Sequence, residues 1–300
     1  MSDDKIPAMT RFRIVHKTQY TYGAQMADGF TITHLLPRAT SRQIVHHAGI
    51  TVTPEPDEWQ QSTDVFGNTV VRFAVHHPHA QLLVESLLDV QVSIAEPQTT
   101  DVPWQTIRDD AQGLVGDLAC DVAPFLAHTA QTPRLPELEA LTSSIFVDGR
   151  GVVDAVSEFC AHIFETFHFD AGFSDISTPL ATVLTARRGV CQDFAHLTVA
   201  ALRSIGLPAR YISGYIETLP LPGQPRLIGA DASHAWCSVW AGPCGWLDVD
   251  PTNNQMPPQR HVTVAWGRDY DDVAPVRGVV IGPPGGQTLT VSVDVAEQTG

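Results

Sequence analysis

Cys191 is the residue of this chain whose position most favours covalent chemistry. It follows the segment RRGV and opens an apolar stretch, residues 190–205, that has the pattern of a helix. The first backbone N–H groups of a helix have no partner within it, and with the helix dipole they stabilise a thiolate at that end. They could also stabilise the oxyanion that forms when sulfur attacks a carbonyl. The alternative is a buried core cysteine, which is the common fate of a free cysteine.

A predicted hairpin further along the chain carries one histidine and two aspartates. It consists of the strand SHAWCSVW, the turn signal AGPC and the strand GWLDVD. A three-residue loop places His234 directly opposite Asp250. A loop two residues longer makes the same two residues diagonal neighbours, which are still within side-chain reach. Pairing His234 with Asp248 requires a tighter loop than a hairpin favours, so Asp250 is the expected partner.

These residues supply the parts of a thiol triad. Cys191 would be the nucleophile, His234 the base that takes its proton, and Asp250 the group that orients the imidazole. By itself the His–Asp pair is better explained as a solvated cross-strand pair, and only its combination with Cys191 favours catalysis. Gln192, beside the nucleophile, and Trp236, on the same strand face as His234, are candidate oxyanion or substrate contacts. Their alternatives are an exposed helix residue and a core aromatic.

Three motifs around these residues resemble the transglutaminase-like superfamily. They are GVCQDFAHL, DASHAW and GWLDVDPTN, in that order along the chain. The similarity is to the bacterial members often described as candidate cysteine proteases, and it extends to the first 95 residues and to the segment VAWGRDYDDV near the C-terminus. It implies an α+β fold, with a papain-like transglutaminase core preceded by an antiparallel β domain and followed by a β tail. It also implies the triad roles for Cys191, His234 and Asp250, each of which stands in its matching motif.

The resemblance further implies a chemistry. A thiolate would attack a peptide or amide carbonyl of a protein or peptide substrate and leave a thioester. Water would then complete hydrolysis, as in a protease or amidase, or an amine would complete transfer, as in a transglutaminase. The alternative function is a non-catalytic module that binds peptide in the same groove, and the intact triad argues against it.

No cofactor and no metal is expected. Animal transglutaminases depend on calcium, but the sequence has no EF-hand loop. The cluster His76, His77 and His79 straddles a proline and fits no structural zinc pattern.

The elements that must position the triad divide the chain into four parts. Residues 10–95 carry five runs with strand character separated by turn signals, which is typical of a β-sandwich. Residues 96–150 indicate a connection of short helices. Residues 151–254 contain two apolar helices and the hairpin, and form the predicted catalytic core. Residues 255–300 contain three further strand candidates and form the β tail.

Composition excludes several classes of function. The chain has 300 residues, and 18 Lys and Arg against 33 Asp and Glu give a net charge of −15. An acidic surface without a basic run disfavours nucleic acid and anionic membranes as partners. There is no apolar run of the length that spans a bilayer and no apolar leader, so we expect a cytoplasmic protein.

The five cysteines are an odd number without framework spacing, which indicates reduced thiols. Apart from Cys191, each has an ordinary explanation. Cys120 and Cys160 are expected to pack in helices, Cys237 in the core, and Cys244 in the turn of the hairpin.

Overall fold

The computed structural model describes residues 9–94, 99–217, 233–256 and 258–298. Its strands are β1 (Met9–Met26), β2 (Asp28–Thr33), β3 (Gln43–Thr53), β4 (Glu58–Thr63), β5 (Thr69–Val75), β6 (His79–Ser93), β7 (His168–Phe169), β8 (Arg188–Gly189), β9 (Ala209–Ile216), β10 (Ser233–Trp240), β11 (Trp246–Val249), β12 (His261–Gly267), β13 (Val276–Ile281) and β14 (Gln287–Glu297). Its α-helices are α1 (Trp104–Gly113), α2 (Gly116–Val122), α3 (Pro136–Ser143), α4 (Val152–Thr166), α5 (Leu180–Ala186), α6 (Cys191–Ser204) and α7 (Tyr270–Val273).

The N-terminal region forms two four-stranded antiparallel sheets. Their orders are β14-β1-β6-β3 and β13-β2-β5-β4. Side chains from both sheets, among them Tyr22, Phe73 and Val84, form a shared apolar cluster between them. This confirms the antiparallel β domain. The sequence pattern missed β4, because its residues EWQQST are polar except for Trp59 and almost all are exposed at a sheet edge.

The predicted β tail is divided between two parts of the molecule. Strand β12 joins the sheet of the core, whereas β13 pairs with β2 and β14 pairs with β1. The last two strands therefore complete the N-terminal sheets and do not form a sheet of their own. They cover edges of β1 and β2 that would otherwise expose unpaired backbone groups.

The core is a four-stranded sheet, β11-β10-β9-β12, with the apolar helix α6 packed against it. From Asp193 to Arg203 every residue of α6 is buried, as expected for a helix that is apolar on most sides. Residues of α6 and β10 form a large apolar cluster, and helices α1, α3 and α4 contribute Ile107, Leu138 and Phe159 to it. The mixed α+β core of the predicted fold class is thus confirmed. Within the described ranges, no helix has the length and apolar character needed to cross a membrane.

Strand β1 joins the two parts because it is long enough to serve both. Its Tyr22 end packs within the sandwich, while Phe12 and Ile14 pack on the core beside Tyr215. Polar contacts also hold the N-terminal region in one orientation relative to the core sheet. Tyr215 Oη hydrogen-bonds with His16 Nδ1 at 2.8 Å, and the Gln43 amide both donates to and accepts from the Thr263 backbone, at 2.7 and 2.8 Å.

Gly214 on β9 is a position where only glycine fits. A Cβ there would lie 2.1 Å from the Val262 carbonyl oxygen and 2.6 Å from the Trp236 ring. Because the first of these atoms is backbone, we expect Gly214→Ala to lower the free energy of unfolding by about 3 kcal/mol or more in urea denaturation. Gly113→Ala is the control, since a Cβ there meets nothing within 4 Å. Equal stability of the two variants would contradict the close packing of β9, β10 and β12.

Candidate active site

Cys191 is the first residue of α6 and is partly exposed. The residue before it, Val190, has extended backbone angles and a side chain that offers no acceptor to the helix. The first backbone bond of the helix runs from Phe194 N to Val190 O at 3.1 Å. The N–H groups of the first turn are therefore not used by a side chain of Val190, and at the helix end that carries Cys191 they are potential oxyanion donors.

Asp193 holds the start of this helix in place. Its Oδ2 accepts hydrogen bonds from Val190 N at 2.7 Å and from the Ser174 hydroxyl. Gly189 lies so close that a Cβ there would be 2.7 Å from the same oxygen. The carboxylate thus fastens the turn before Cys191 to the segment before α5, in addition to complementing the helix dipole.

His234 and Asp250 are diagonal neighbours on the hairpin of β10 and β11. The register pairs Trp240 with Trp246, which corresponds to the longer of the two loops that the sequence allows. His234 Nε2 donates to Asp250 Oδ2 at 2.8 Å, so the diagonal arrangement still brings the two side chains together.

Asp250 is fully buried and is surrounded by donors. Oδ1 accepts from the backbone N–H groups of Thr252 and Asn253 at 2.9 and 3.3 Å. Oδ2 accepts from His234 Nε2, from His261 Nε2 at 2.8 Å and from the Asn253 side-chain amide at 2.7 Å. Burial would raise the pKa of Asp250, but the hydrogen bonds from the two histidines outweigh it and hold that pKa well below its usual range. The group is therefore a carboxylate at every physiological pH.

The imidazole of His234 lies between this carboxylate and the Cys191 side chain. Its Nε2 faces Asp250, which leaves Nδ1 as the nitrogen that can interact with the Cys191 side chain. Burial would lower the pKa of His234, but the hydrogen bonds with Asp250 and Cys191 together raise it to about 10. The ring therefore carries a proton at neutral pH.

His261 and Asn253 are members of the site to which the sequence assigned no role. Both donate to Asp250 Oδ2, the oxygen that also accepts from His234. The His261 ring centroid lies 5.5 Å from that of His234. Burial lowers the pKa of His261, so this second imidazole is neutral. Asn253 stands in the third motif, which could have drawn attention to it. His261 lies on β12, outside all three motifs, and no local pattern marks it.

His234, Asp250 and His261 are also of the types that ligate metal ions, and their candidate ligand atoms lie within 4.8 Å of one another. Hydrogen bonding already accounts for this closeness, because both Nε2 atoms donate to one carboxylate oxygen. In the second group of histidines, which is His76, His77 and His79, two members lie beside carboxylates. His76 contacts Asp28 and Glu58, and His77 contacts Asp57.

Trp236 does not line a substrate groove. Its side chain is fully buried, with its ring stacked on His234 at 6.0 Å and against His261 at 4.9 Å. The suggested substrate contact is therefore wrong, and Trp236 instead supports both imidazoles from within the core. Gln192 is half-buried next to the nucleophile, and its contact with substrate stays a prediction.

The other thiols differ from Cys191 in their surroundings. Cys160 and Cys237 are buried, and burial raises the pKa of Cys160 to about 12. Cys244 is partly exposed in the hairpin turn. Cys120 is exposed on the short helix α2, so the expectation that it packs in a helix interface is wrong.

Comparisons with known proteins agree with the motifs. Residues 12–91 match the bacterial transglutaminase-like N-terminal region, and residues 139–251 match the transglutaminase-like superfamily. An uncharacterized protein of Mycobacterium tuberculosis is 38% identical over 294 residues, covering 95% of this chain and 92% of that protein. A second uncharacterized protein, from Mycobacterium leprae, is 32% identical and covers 96% and 99% of the two chains.

Two further comparisons concern a solved structure and a named enzyme. The crystal structure of a candidate cysteine protease from Cytophaga hutchinsonii has a TM-score of 0.75 at 22% identity, covering 98% of this chain and 92% of that one, and shows the same fold. A protein-glutamine gamma-glutamyltransferase of Pseudomonas aeruginosa is 39% identical over 75 residues, which are 25% of this chain and 11% of that enzyme. The chain belongs to the transglutaminase-like superfamily, a family of cysteine-based enzymes, and carries its bacterial N-terminal region.

Proposed function

We propose that the protein catalyses acyl transfer from peptide or protein amides, to water or to an amine, through a thioester on Cys191. One arrangement supports this function above all. A partly exposed thiol at the N-terminus of α6 interacts with His234, whose Nε2 donates to the buried carboxylate of Asp250. The three groups have the relationship of nucleophile, base and orienting acid.

In the first half of the reaction, the Cys191 thiolate attacks the carbonyl carbon of the amide and a C–S bond forms. The carbonyl oxygen takes up negative charge, which the free N–H groups at the start of α6 stabilise. The C–N bond then breaks while His234 gives its proton to the leaving nitrogen. An amine departs, and the acyl group remains on sulfur as a thioester.

In the second half, the sulfur no longer bears the negative charge that supports the His234 proton, so the neutral imidazole can serve as a base. It removes a proton from water or from an incoming amine as that nucleophile attacks the thioester. The C–S bond breaks, and the thiolate and imidazolium are restored. Asp250 keeps the ring oriented through both halves by accepting from Nε2.

The outcome can be measured with a glutamine-containing peptide and a fluorescent primary amine. Incorporation of label indicates transfer, conversion of glutamine to glutamate indicates an amidase, and cleavage of the chain indicates a protease. Cys191→Ala is the control and should abolish whichever product appears. Binding of the peptide without any product, by wild type and Cys191→Ala alike, would instead support the alternative of a non-catalytic peptide-binding module.

The rate of acylation should depend on pH through His234. Because its folded-state pKa is raised to about 10, the proton needed by the leaving amine is present at neutral pH and is lost as the pH rises through about 10. In a single-turnover assay of amine release, we therefore expect a decline centred near pH 10, with circular dichroism at each pH to confirm the fold. A decline centred near 6.5 would indicate an ordinary histidine and contradict the raised pKa of His234.

A further inference from the structure

A cavity of about 900 Å³ lies between the N-terminal region and the core sheet, apart from the triad. Arg38 and Arg42 line it from the N-terminal side, and Arg210 and His261 line it from the core. Neither Cys191 nor the other two triad residues belong to the described part of its wall. We call it the arginine cavity, because three of the few cations of an acidic chain meet there.

Two of these arginines share one aromatic ring. The guanidinium carbons of Arg38 and Arg210 lie 3.6 and 3.7 Å from the centroid of Trp266, and they must occupy opposite faces to avoid collision. Arg210 also stacks on Trp246 at 4.3 Å and is only 8% exposed. The indoles hold the guanidinium groups in fixed orientation but do not neutralise their charge.

Carboxylates do not compensate these charges by direct contact. Across the described ranges, Arg38, Arg42 and Arg210 have no carboxylate oxygen within the 4.0 Å of an ion pair. Three aspartates, Asp64, Asp121 and Asp248, also line the cavity. The oxygens of Asp64 accept from the Phe66 and Asn68 N–H groups and from the Asn68 amide. Asp248 acts on Arg42 and Arg210 only at longer range, and burial lowers the pKa of Arg210 to about 9.

Several buried nitrogen atoms of the wall also have no hydrogen-bond partner. They are the Nε atoms of Arg38, Arg42 and Arg210. The remaining contacts of Arg38 and Arg42 go to neutral oxygens, such as the carbonyls of Phe66 and Pro258. Buried guanidinium donors without a hydrogen-bond partner are costly, so these groups would gain free energy from an anion that accepts from them directly.

We propose that the arginine cavity binds a small organic carboxylate, with its charged group among the three arginines and its apolar body against the aromatic wall. Guanidinium groups favour carboxylates because their paired donors match the two oxygens. Trp246, Phe66 and Phe125 supply the apolar surface on which the body of such a molecule would pack. The described wall of the cavity contains none of the triad residues, although it includes His261, which donates to Asp250. Because Cys191 lies outside that wall, carboxylate binding and acyl transfer can each fail without the other.

Benzoate and benzamide provide a matched pair of probes, because they share a shape and differ in charge. We expect benzoate to bind saturably in isothermal calorimetry and to raise the melting temperature, and benzamide to bind far more weakly. Arg210→Met and Arg42→Met should each weaken benzoate binding by about tenfold or more, since each removes a charged donor. Arg134→Met, an exposed arginine paired with Glu139, is the control and should bind as the wild type does.

Binding should be unchanged in Cys191→Ala, because Cys191 lies outside the described wall of the cavity. The proposal would be overturned by a lack of saturable benzoate binding up to about 10 mM, by equal binding of benzamide, or by loss of binding in Cys191→Ala. If Arg210→Met fails to fold, Arg42→Met decides, and unchanged affinity in that variant overturns the site.

Discussion

Iodoacetamide at neutral pH is expected to alkylate Cys191 at least about a hundredfold faster in the wild type than in His234→Ala. The physical reason is that the thiolate is the reactive species, and His234 is the group that takes up its proton. Without the imidazole, the helix N-terminus alone must stabilise the negative sulfur. The site of labelling and its rate can be followed by peptide mass spectrometry after timed quenching.

The chain contains its own controls for this experiment. Cys120 is exposed, so its labelling rate reports an accessible thiol outside the triad, while the buried Cys160 and Cys237 should react only on unfolding. His46→Ala is the matched variant, because His46 is exposed on β3 and contacts Gln91. Equal labelling rates for Cys191 and Cys120 in the wild type would contradict the enzyme proposal.

The relative positions of the three proposed triad residues could be predicted from the sequence because they depend on local patterns. An apolar helix that begins after Gly189-Val190 places Cys191 at its N-terminus, and strand alternation places His234 and Asp250 on one face. The register of the hairpin was open by two residues, since the sequence allows two loop lengths. Both lengths bring His234 near Asp250, so the pair did not depend on the choice.

The rest of the site depends on which strands pair and which faces are covered. His261 reaches Asp250 because β12 pairs with β9 on the side away from β10, and no local sequence pattern specifies that neighbour. The place of Trp236 was ambiguous for the same reason. Whether an aromatic side chain on a strand lines a groove or is buried in the core depends on what packs against that face of the sheet. The pairing of β14 with β1, at opposite ends of the chain, is likewise a long-range choice.

Asp250→Asn is expected to lower the acylation rate by about a hundredfold to ten-thousandfold. In the wild type, two imidazole Nε2 donors and the Asn253 amide converge on Oδ2. An amide at position 250 can meet them only with its oxygen, which is uncharged, or with its NH2 group, which is itself a donor. In the second case His234 must switch its proton to Nδ1, and this presents a donor to Cys191 where the neutral ring should accept.

The same substitution removes a fully buried charge from between its donors, so we also expect a loss of about 3 kcal/mol or more in the free energy of unfolding. His261→Gln separates the two effects. This substitution removes the imidazole of His261 that donates to Asp250 and packs on Trp236. The hydrogen bond from His234 to Asp250 stays intact. If Asp250 acts by orienting His234, His261→Gln should lose stability while keeping acylation within about tenfold of the wild type. Equal losses of acylation in the two variants, measured where both are folded, would contradict a specific role of the bond between His234 and Asp250 in orienting the imidazole.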